Sequence, residues 1–422
     1  MSHYDFDFAV AGGGPAGTSA AISLAQRGRS VVLFERETFP RFHIGESLLS
    51  TVNDAFAILG VTEQMAAAGF PKKLGARLIT HDGESGRGVD FSTVTEVRTP
   101  QTYQVPRATF DQILLDRARA VGVDVREETH IASCEFTNDA ATVAWSGGSV
   151  RVQAVVDATG RNGLLARKFN LRVDEPRLAN IAIYSHYSGV PLLDDDRPND
   201  IRIVACEDAG WFWLIPIADQ LMSVGVVIPK NLFLQMPDAS NEERLERAIA
   251  ETPEVARLMQ NAKREWPVRV EKDFSYSASA YAGDRWILAG DAGSFLDPVF
   301  STGVSIAMES GIEAAAELDR ALARKRFSAR QFAEFSRRQR RRYETFRRFV
   351  IGFYTPEFRD LFFDSDPPKR IFQATATVLS GVWDASLRTR IMNRVFFALV
   401  AVQKRVNLVR ARFRRDATAG YL

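Results

Sequence analysis

The run Gly12-Gly13-Gly14-Pro15-Ala16-Gly17 constrains this chain more than any other segment. It follows a short apolar stretch, Asp7-Phe8-Ala9-Val10-Ala11, and leads into a helix-like segment reaching Gln26. In that strand, turn and helix context, Gly-x-Gly-x-x-Gly lets the backbone approach a pyrophosphate, which rests on free N–H groups at the helix N-terminus. The next apolar run, Ser30-Val31-Val32-Leu33-Phe34, ends in Glu35, roughly 20 residues past the glycines, where a carboxylate can accept ribose hydroxyls. The pattern predicts an α/β chain with a Rossmann-type lobe, its cofactor held by Gly12, Gly14, Pro15, Ala16, Gly17, Glu35 and Arg36.

Far down the chain the apolar run Trp286-Ile287-Leu288-Ala289 passes into Gly290-Asp291-Ala292-Gly293-Ser294-Phe295-Leu296-Asp297-Pro298. A strand ending in Gly-Asp at a helix start places the carboxylate on a ribityl hydroxyl, and this segment resembles the second FAD motif of flavoprotein monooxygenases. Asp157-Ala158-Thr159-Gly160-Arg161, and Arg107 after Tyr103-Gln104-Val105-Pro106, resemble further flavin contacts of that fold. The cofactor these resemblances imply is FAD, with Asp291 and Pro298 among its contacts. No second Gly-x-Gly-x-x-Gly offers a nicotinamide site.

With 422 residues, 46% of them hydrophobic, the chain can bury a large core in more than one lobe. Segments 1–80, 100–175 and 276–320 are expected to build a discontinuous FAD-binding domain. Residues 81–99 and 176–275 are expected to form a substrate-side antiparallel sheet, with strands at 180–188, 201–206 and 221–228 and a helix over 241–260. Residues 321–422 pattern as a basic helical region, broken at Asp366-Pro367-Pro368. The chain runs from Met1-Ser2-His3 straight into its first strand, and no apolar run reaches about 18 residues, so a soluble cytoplasmic protein is expected and a membrane role is not. Cys134 and Cys206 are the only cysteines, and the five histidines show no ligand spacing, so neither a disulfide framework nor a metal is expected.

The net charge of +2 conceals an asymmetry: residues 321–422 carry 23 Lys and Arg against 8 Asp and Glu, leaving the first 320 residues acidic. Part of that surplus lies between Arg337 and Arg348 and part between Lys404 and Arg415. Such arginines either cover the acidic body or meet an acidic partner such as a carrier protein or a membrane. Without interleaved aromatics or a known motif, nucleic acid is not expected as a partner.

Trp211-Phe212-Trp213-Leu214-Ile215-Pro216 is a combination that composition alone does not supply. Together with the FAD motifs it makes the sequence resemble the flavin-dependent halogenases, from Asp5 to about Glu309. Gly45-Glu46-Ser47 matches a segment that family carries after its second strand, and Lys73 before Gly75-Ala76 matches its catalytic lysine. Thr302 and Gly303 stand where the family holds halide beside the flavin. The resemblance implies FAD reduced by a separate flavin reductase, used with dioxygen and chloride or bromide to make hypohalous acid. Trp211, Trp213 and Pro216 would wall the flavin from the organic substrate. Lys73 would then present electrophilic halogen to an electron-rich aromatic, with Lys72 its neighbour and rival. Tryptophan halogenases place a carboxylate two residues before the Thr-Gly pair, where this chain has Phe300, so free tryptophan is not the expected substrate. The run Phe70-Pro71-Lys72-Lys73-Leu74-Gly75-Ala76 and the compact length resemble instead bacterial enzymes that act on phenols and pyrroles, several of them on substrate tethered to an acyl carrier protein, and imply such a substrate. The nearest alternative is an aromatic hydroxylase on the same fold; a non-catalytic flavoprotein or an isoprenoid reductase would leave Lys73 and the tryptophans unexplained.

Overall fold

A computed structural model describes residues 3–208, 210–272, 275–366 and 368–413. Pro367 of the expected break, and Arg414 and Arg415 of the last basic cluster, lie outside them.

The four-residue run Phe8–Ala11 is buried throughout, and a strand apolar on every side needs cover on both faces. It gets that cover at the centre of a six-stranded sheet, between Ala154–Asp157 and Val31–Phe34. Both pairings are parallel, as are those to Trp286–Leu288 and Asp124–Arg126, while Ala282–Gly283 closes one edge antiparallel. The chain leaves the central strand through the glycine turn into helix Pro15–Ala25, whose proline at the first helical position has no N–H to lose. That helix lies against Gly303–Arg324, and the approach is close. A Cβ at Gly311 would sit 2.3 Å from the Ala16 carbonyl oxygen.

The second lobe is an eight-stranded sheet. Asn180–Ser188, Leu221–Pro229, Trp211–Ala218 and Ile201–Ala205 pair antiparallel in that order. The expected sheet differs in one respect: Ile201–Ala205 then pairs parallel with Gly75–Ile79, a strand reaching back into the segment grouped with the flavin lobe. Alternation along Trp211–Ala218 sends successive side chains to opposite faces. Trp211, Trp213 and Ile215 join one cluster with Phe353, Tyr354 and Phe358, and Phe212 and Leu214 join another with Leu245, Val255 and Leu258. The helix expected over 241–260 is two helices, Asn241–Ala250 and Pro253–Leu258, because Pro253 cannot continue the first.

After residue 320 the chain is helical, with Ala333–Phe353, Pro356–Phe362, Lys369–Leu379 and Leu387–Gln403 packed on the first face of the sheet. Part of the positive surplus is neutralised there. Buried Arg342 meets Glu309 at 3.2 Å and Glu313 at 2.9 Å, and Arg347 meets Glu175 at 2.5 Å. No described helix is long and apolar enough to cross a membrane.

Candidate functional site

A cavity of about 1100 Å³ opens above the carboxyl ends of the parallel strands. Its floor is the glycine turn. Gly12 holds φ +104°, and a Cβ there would lie 2.3 Å from the Ala158 carbonyl oxygen; one at Gly17 would lie 1.8 Å from that of Gly12. No side chain fits at either position, so peptide N–H groups at the start of Pro15–Ala25 stay open to a ligand. Glu35 fixes the turn, its carboxylate accepting from Gly13 N at 2.7 Å and Glu37 N at 2.9 Å. Arg107 is clamped by Asp111 at 2.8 and 2.9 Å and donates to Ile44 O at 2.7 Å. Burial pushes the Asp291 carboxyl up to about 6, with Arg107 and Arg161 opposing.

This cradle fits FAD on its own geometry: a glycine floor for a pyrophosphate, Glu35 for ribose hydroxyls, and buried Asp291 with Gly303 at the far end. Of the residues expected at cofactor, Gly12, Gly14, Pro15, Ala16, Glu35, Arg36, Glu46, Ser47, Arg107, Asp291, Pro298 and Gly303 line the cavity. Gly17 lies beneath them. Ser301 and Val304 flank the helix start at Gly303–Arg324, whose first-turn amides have no carbonyl partner inside the helix. Thr302, expected at the halide, is that helix's N-cap and is buried behind this lining.

Trp211 and Trp213 form part of the opposite wall, their rings 5.9 Å apart. Trp211 Nε1 donates to Tyr354 Oη at 2.8 Å, and Tyr354 donates to Asp297 Oδ2 at 2.6 Å. Asn180 also donates to that oxygen, at 2.9 Å. Trp213 packs into a notch that only glycine leaves open, because a Cβ at Gly225 would fall 2.3 Å from its ring. Pro216 is not brought to the site. It sits on the other face of its strand, one residue from Ile215 and next to a register shift, and lines neither cavity.

Lys73 is buried and Lys72 exposed, although they are neighbours in the short strand Lys72–Lys73. Lys73 Nζ donates to Ser47 Oγ and to Leu48 O, both at 2.8 Å, and lies 5.4 Å from the Phe91 ring centroid. Burial lowers its pKa to about 7, with Asp200 acting the other way. It borders a second cavity of about 20 Å³, room for about one water. Ile201 and Ser301 line both cavities, so the two spaces share a wall between the flavin cradle and the amine.

Three residues here were not among the site residues expected from the sequence. Asp200 Oδ1 accepts from Leu74 N at 2.9 Å, while its buried Oδ2, without a hydrogen bond, faces Arg197 Nε at 4.0 Å. His186 shares a 2.8 Å hydrogen bond with Glu46 inside the cavity wall. Tyr354 ties the tryptophan wall to the helical region. Their partners are 140 residues away for His186 and 143 for Tyr354, beyond any local pattern.

Comparison with known proteins agrees with this geometry. The family model for tryptophan halogenase matches residues 7–88 and 90–366. The chain is 30% identical over 398 residues to the 1H-pyrrole-2-carbonyl-[peptidyl-carrier protein] chlorinase of Pseudomonas fluorescens, covering 88% of each. It is 35% identical over 335 residues to the corresponding brominase of Pseudoalteromonas luteoviolacea, covering 76% of this chain and 79% of that one. Among solved structures, a triple mutant of the flavin-dependent brominase Bmp2 superposes with TM-score 0.83 at 29% identity, over 93% of this chain and 99% of that one. The myxobacterial chondrochloren halogenase superposes with TM-score 0.76 at 31% identity, over 99% and 96%. By the extent of that match and those identities, the chain belongs to the tryptophan-halogenase family of flavin-dependent halogenases, enzymes that use FAD.

Proposed function

We propose that this halogenase acts on a pyrrole-type ring carried as a thioester on a peptidyl carrier protein. The observation that carries the reading is the chemistry of the Lys73 cavity. Apart from Lys73 and Ser301, its lining is apolar: Leu49, Ala76, Leu78, Val89, Phe91, Ile201, Ile203, Val299, Phe300, Phe362 and Leu379. Once widened beyond its present volume of about 20 Å³, a space so lined gives a flat apolar ring its contacts, and no carboxylate lines it to meet a free amino acid's ammonium. The likeness to two enzymes named for pyrrole-2-carbonyl carrier substrates supports the same choice.

FAD, reduced by a separate flavin reductase and bound in the glycine cradle, supplies with dioxygen the oxidising power that converts halide into hypohalous acid. Gly12, Gly14, Pro15, Ala16 and Gly17 hold its phosphates, Glu35 and Arg36 its adenosine end, and Glu46, Ser47, Arg107, Asp291 and Pro298 the flavin half. Backbone N–H groups around Thr302 and Gly303 hold the halide. Trp211 and Trp213 keep the organic ring on their far side. Hypohalous acid passes Ser301 and Ile201 to Lys73, where the amine, with a pKa near 7, either donates hydrogen bonds or, in its neutral form, attacks the halogen to give a haloamine, the hydroxide leaving with an amine proton as water. A cytoplasmic location belongs to this reading.

The test is mass spectrometry of reactions containing a flavin reductase, NADH, FAD, bromide or chloride and one substrate: carrier-bound pyrrole-2-carbonyl, free pyrrole-2-carboxylate or a simple phenol. A halogen isotope pattern confined to the carrier-bound ring is expected. Halogenation of the free acids alone, or hydroxylated product without halide, overturns the proposal.

A further inference from the structure

The last described helix, Leu387–Gln403, buries Thr389, Asn393, Phe396 and Gln403 against the body. Its opposite side is unusual for an exposed surface. Leu387, Ile391, Val395 and Val402 follow helical spacing along one stripe and are 65, 43, 37 and 42% exposed. Arg390 and Arg394 lie along one edge, Arg405 follows just past the helix end, and Arg388 stands on the other edge. Between Ser386 and Phe413 there is no Asp or Glu, and none of these four arginines has an ion pair among the described residues. The contrast with Ala333–Phe353 is informative, since its Arg337, Arg338, Arg342 and Arg347 all meet carboxylates. Arg394 instead stands near Arg348, whose own partial burial, with the Arg394 charge adding to it, holds it below the usual guanidinium range. Like charges gathered beside exposed aliphatic side chains stabilise nothing within this chain.

The helix is also joined to the wall of the Lys73 cavity. Leu379, in the preceding helix, lines that cavity, as does Phe91. From the segment after Phe91, Glu96 accepts from Ser386 N at 2.7 Å and Ser386 Oγ at 2.9 Å, and also from Thr389 Oγ1. The start of the exposed stripe is therefore pinned to the same two segments that enclose the amine.

We propose that the outer face of Leu387–Gln403 is the docking surface for an acidic carrier protein, whose flexible arm delivers its aromatic thioester to Lys73. This rests on the carrier-bound substrate proposed above. Charge complementarity selects the partner: a helix with arginines along one edge, Arg388 at the start of the other and aliphatic side chains between them matches an acidic surface with aliphatic side chains at its centre. A lipid surface fits less well, because the stripe has no exposed aromatic residue to sit at the headgroup level.

The test uses the full-length holoenzyme and a peptidyl carrier protein charged with pyrrole-2-carbonyl, beside the same acyl group on a short pantetheine thioester. The triple variant R390E/R394E/R405E should raise KM for the carrier-bound ring about tenfold or more, leave its kcat unchanged and leave the pantetheine thioester unaffected. KM of the parent enzyme should rise with salt, and the variant should lose that rise. A second variant, I391S/V395S, should raise KM without altering the salt dependence. Bound FAD and the melting temperature serve as controls for folding. Unchanged carrier kinetics in both variants overturn the docking surface and leave the substrate assignment standing. A parent enzyme that halogenates the pantetheine thioester but not the carrier overturns the substrate assignment and the surface together. Carrier kinetics that stay unchanged while the variants lose binding to phosphatidylglycerol vesicles, or change their mass in solution, reassign the face to lipid or to a second copy and overturn the proposal.

Discussion

Lys73 Nζ donates to Ser47 Oγ at 2.8 Å, and Ser47 also lines the large cavity, so the buried amine touches the wall of the flavin cradle through one hydroxyl. Replacing the amine by an isosteric apolar chain separates its chemistry from its packing. Lys73→Met should lower halogenation of the organic substrate by at least about a hundredfold, the scale of a lost covalent or acid-base catalyst. Halide-dependent formation of hypohalous acid, trapped by a diffusible dione, should continue at the parent rate. Parallel loss of both activities would remove Lys73 from the transfer step.

The same amine gives a pH dependence with a definite sign. Its pKa is about 7 in the folded chain and about 10.5 when unfolded, so between those values the unfolded chain binds a proton that the folded one lacks. Stability contributed at this site therefore rises with pH through that window, and the burial penalty is greatest below pH 7. Urea unfolding should show Lys73→Met gaining on the parent below pH 7, with the gain shrinking as pH approaches 10. In the reaction, Asp200→Asn should move the transfer step's apparent pKa to lower pH, because Asp200 opposes the drop in the Lys73 pKa. An upward move would assign Asp200 another role.

How much of this was legible in the sequence differs residue by residue. The glycine turn could be read because its chemistry is local: Gly12 and Gly17 are fixed by backbone atoms within their own motif and the adjoining strand. The tryptophans and Lys73 were legible only through the family resemblance. Nothing local distinguishes buried Lys73 from exposed Lys72, since Ser47 and Leu48 are 26 and 25 residues away. Pro216 was misplaced because the motif was read as a block, although strand alternation puts residues 211, 213 and 215 on one face and 216 on the other. The charge surplus of the tail leaves open whether its arginines cover the acidic body or meet a partner, and folding divides them into arginines that meet Glu175, Glu309 and Glu313 and arginines that face outward.

Gly225 yields a prediction about the tryptophan wall. It pairs with Trp213 across the sheet, and a Cβ there would meet the Trp213 ring at 2.3 Å and Tyr184 Cβ at 2.5 Å. Tyr184 belongs to the backbone-paired strand on the other side and cannot retreat, so Gly225→Ala should push the indole into the flavin cavity. FAD binding should weaken at least about tenfold by fluorescence titration, with melting lowered by about 1–3 kcal/mol of stability, the range for overpacked sites. Unchanged FAD affinity would mean that the Trp213 ring has room to move elsewhere.

The chain Trp211 Nε1 to Tyr354 Oη to Asp297 Oδ2 makes the last prediction, because one hydroxyl serves as acceptor for the indole and donor for the carboxyl. Tyr354→Phe removes both bonds and leaves a buried N–H without its acceptor, at a cost of about 1–3 kcal/mol. The cost should depend on pH. Burial holds Asp297 up at about 6, against 3.8 ordinarily, and the donated bonds from Tyr354 and Asn180 oppose that rise. Without the Tyr354 hydroxyl the folded-state pKa moves higher still. A folded carboxyl that keeps its proton where the unfolded one has lost it makes stability fall as pH rises through that interval. The variant's interval extends further upward, so its deficit relative to the parent should be larger at pH 8 than at pH 5. Chemical denaturation at the two pH values measures this, and an equal or smaller deficit at pH 8 would show that Asp297 does not depend on Tyr354 for its charge.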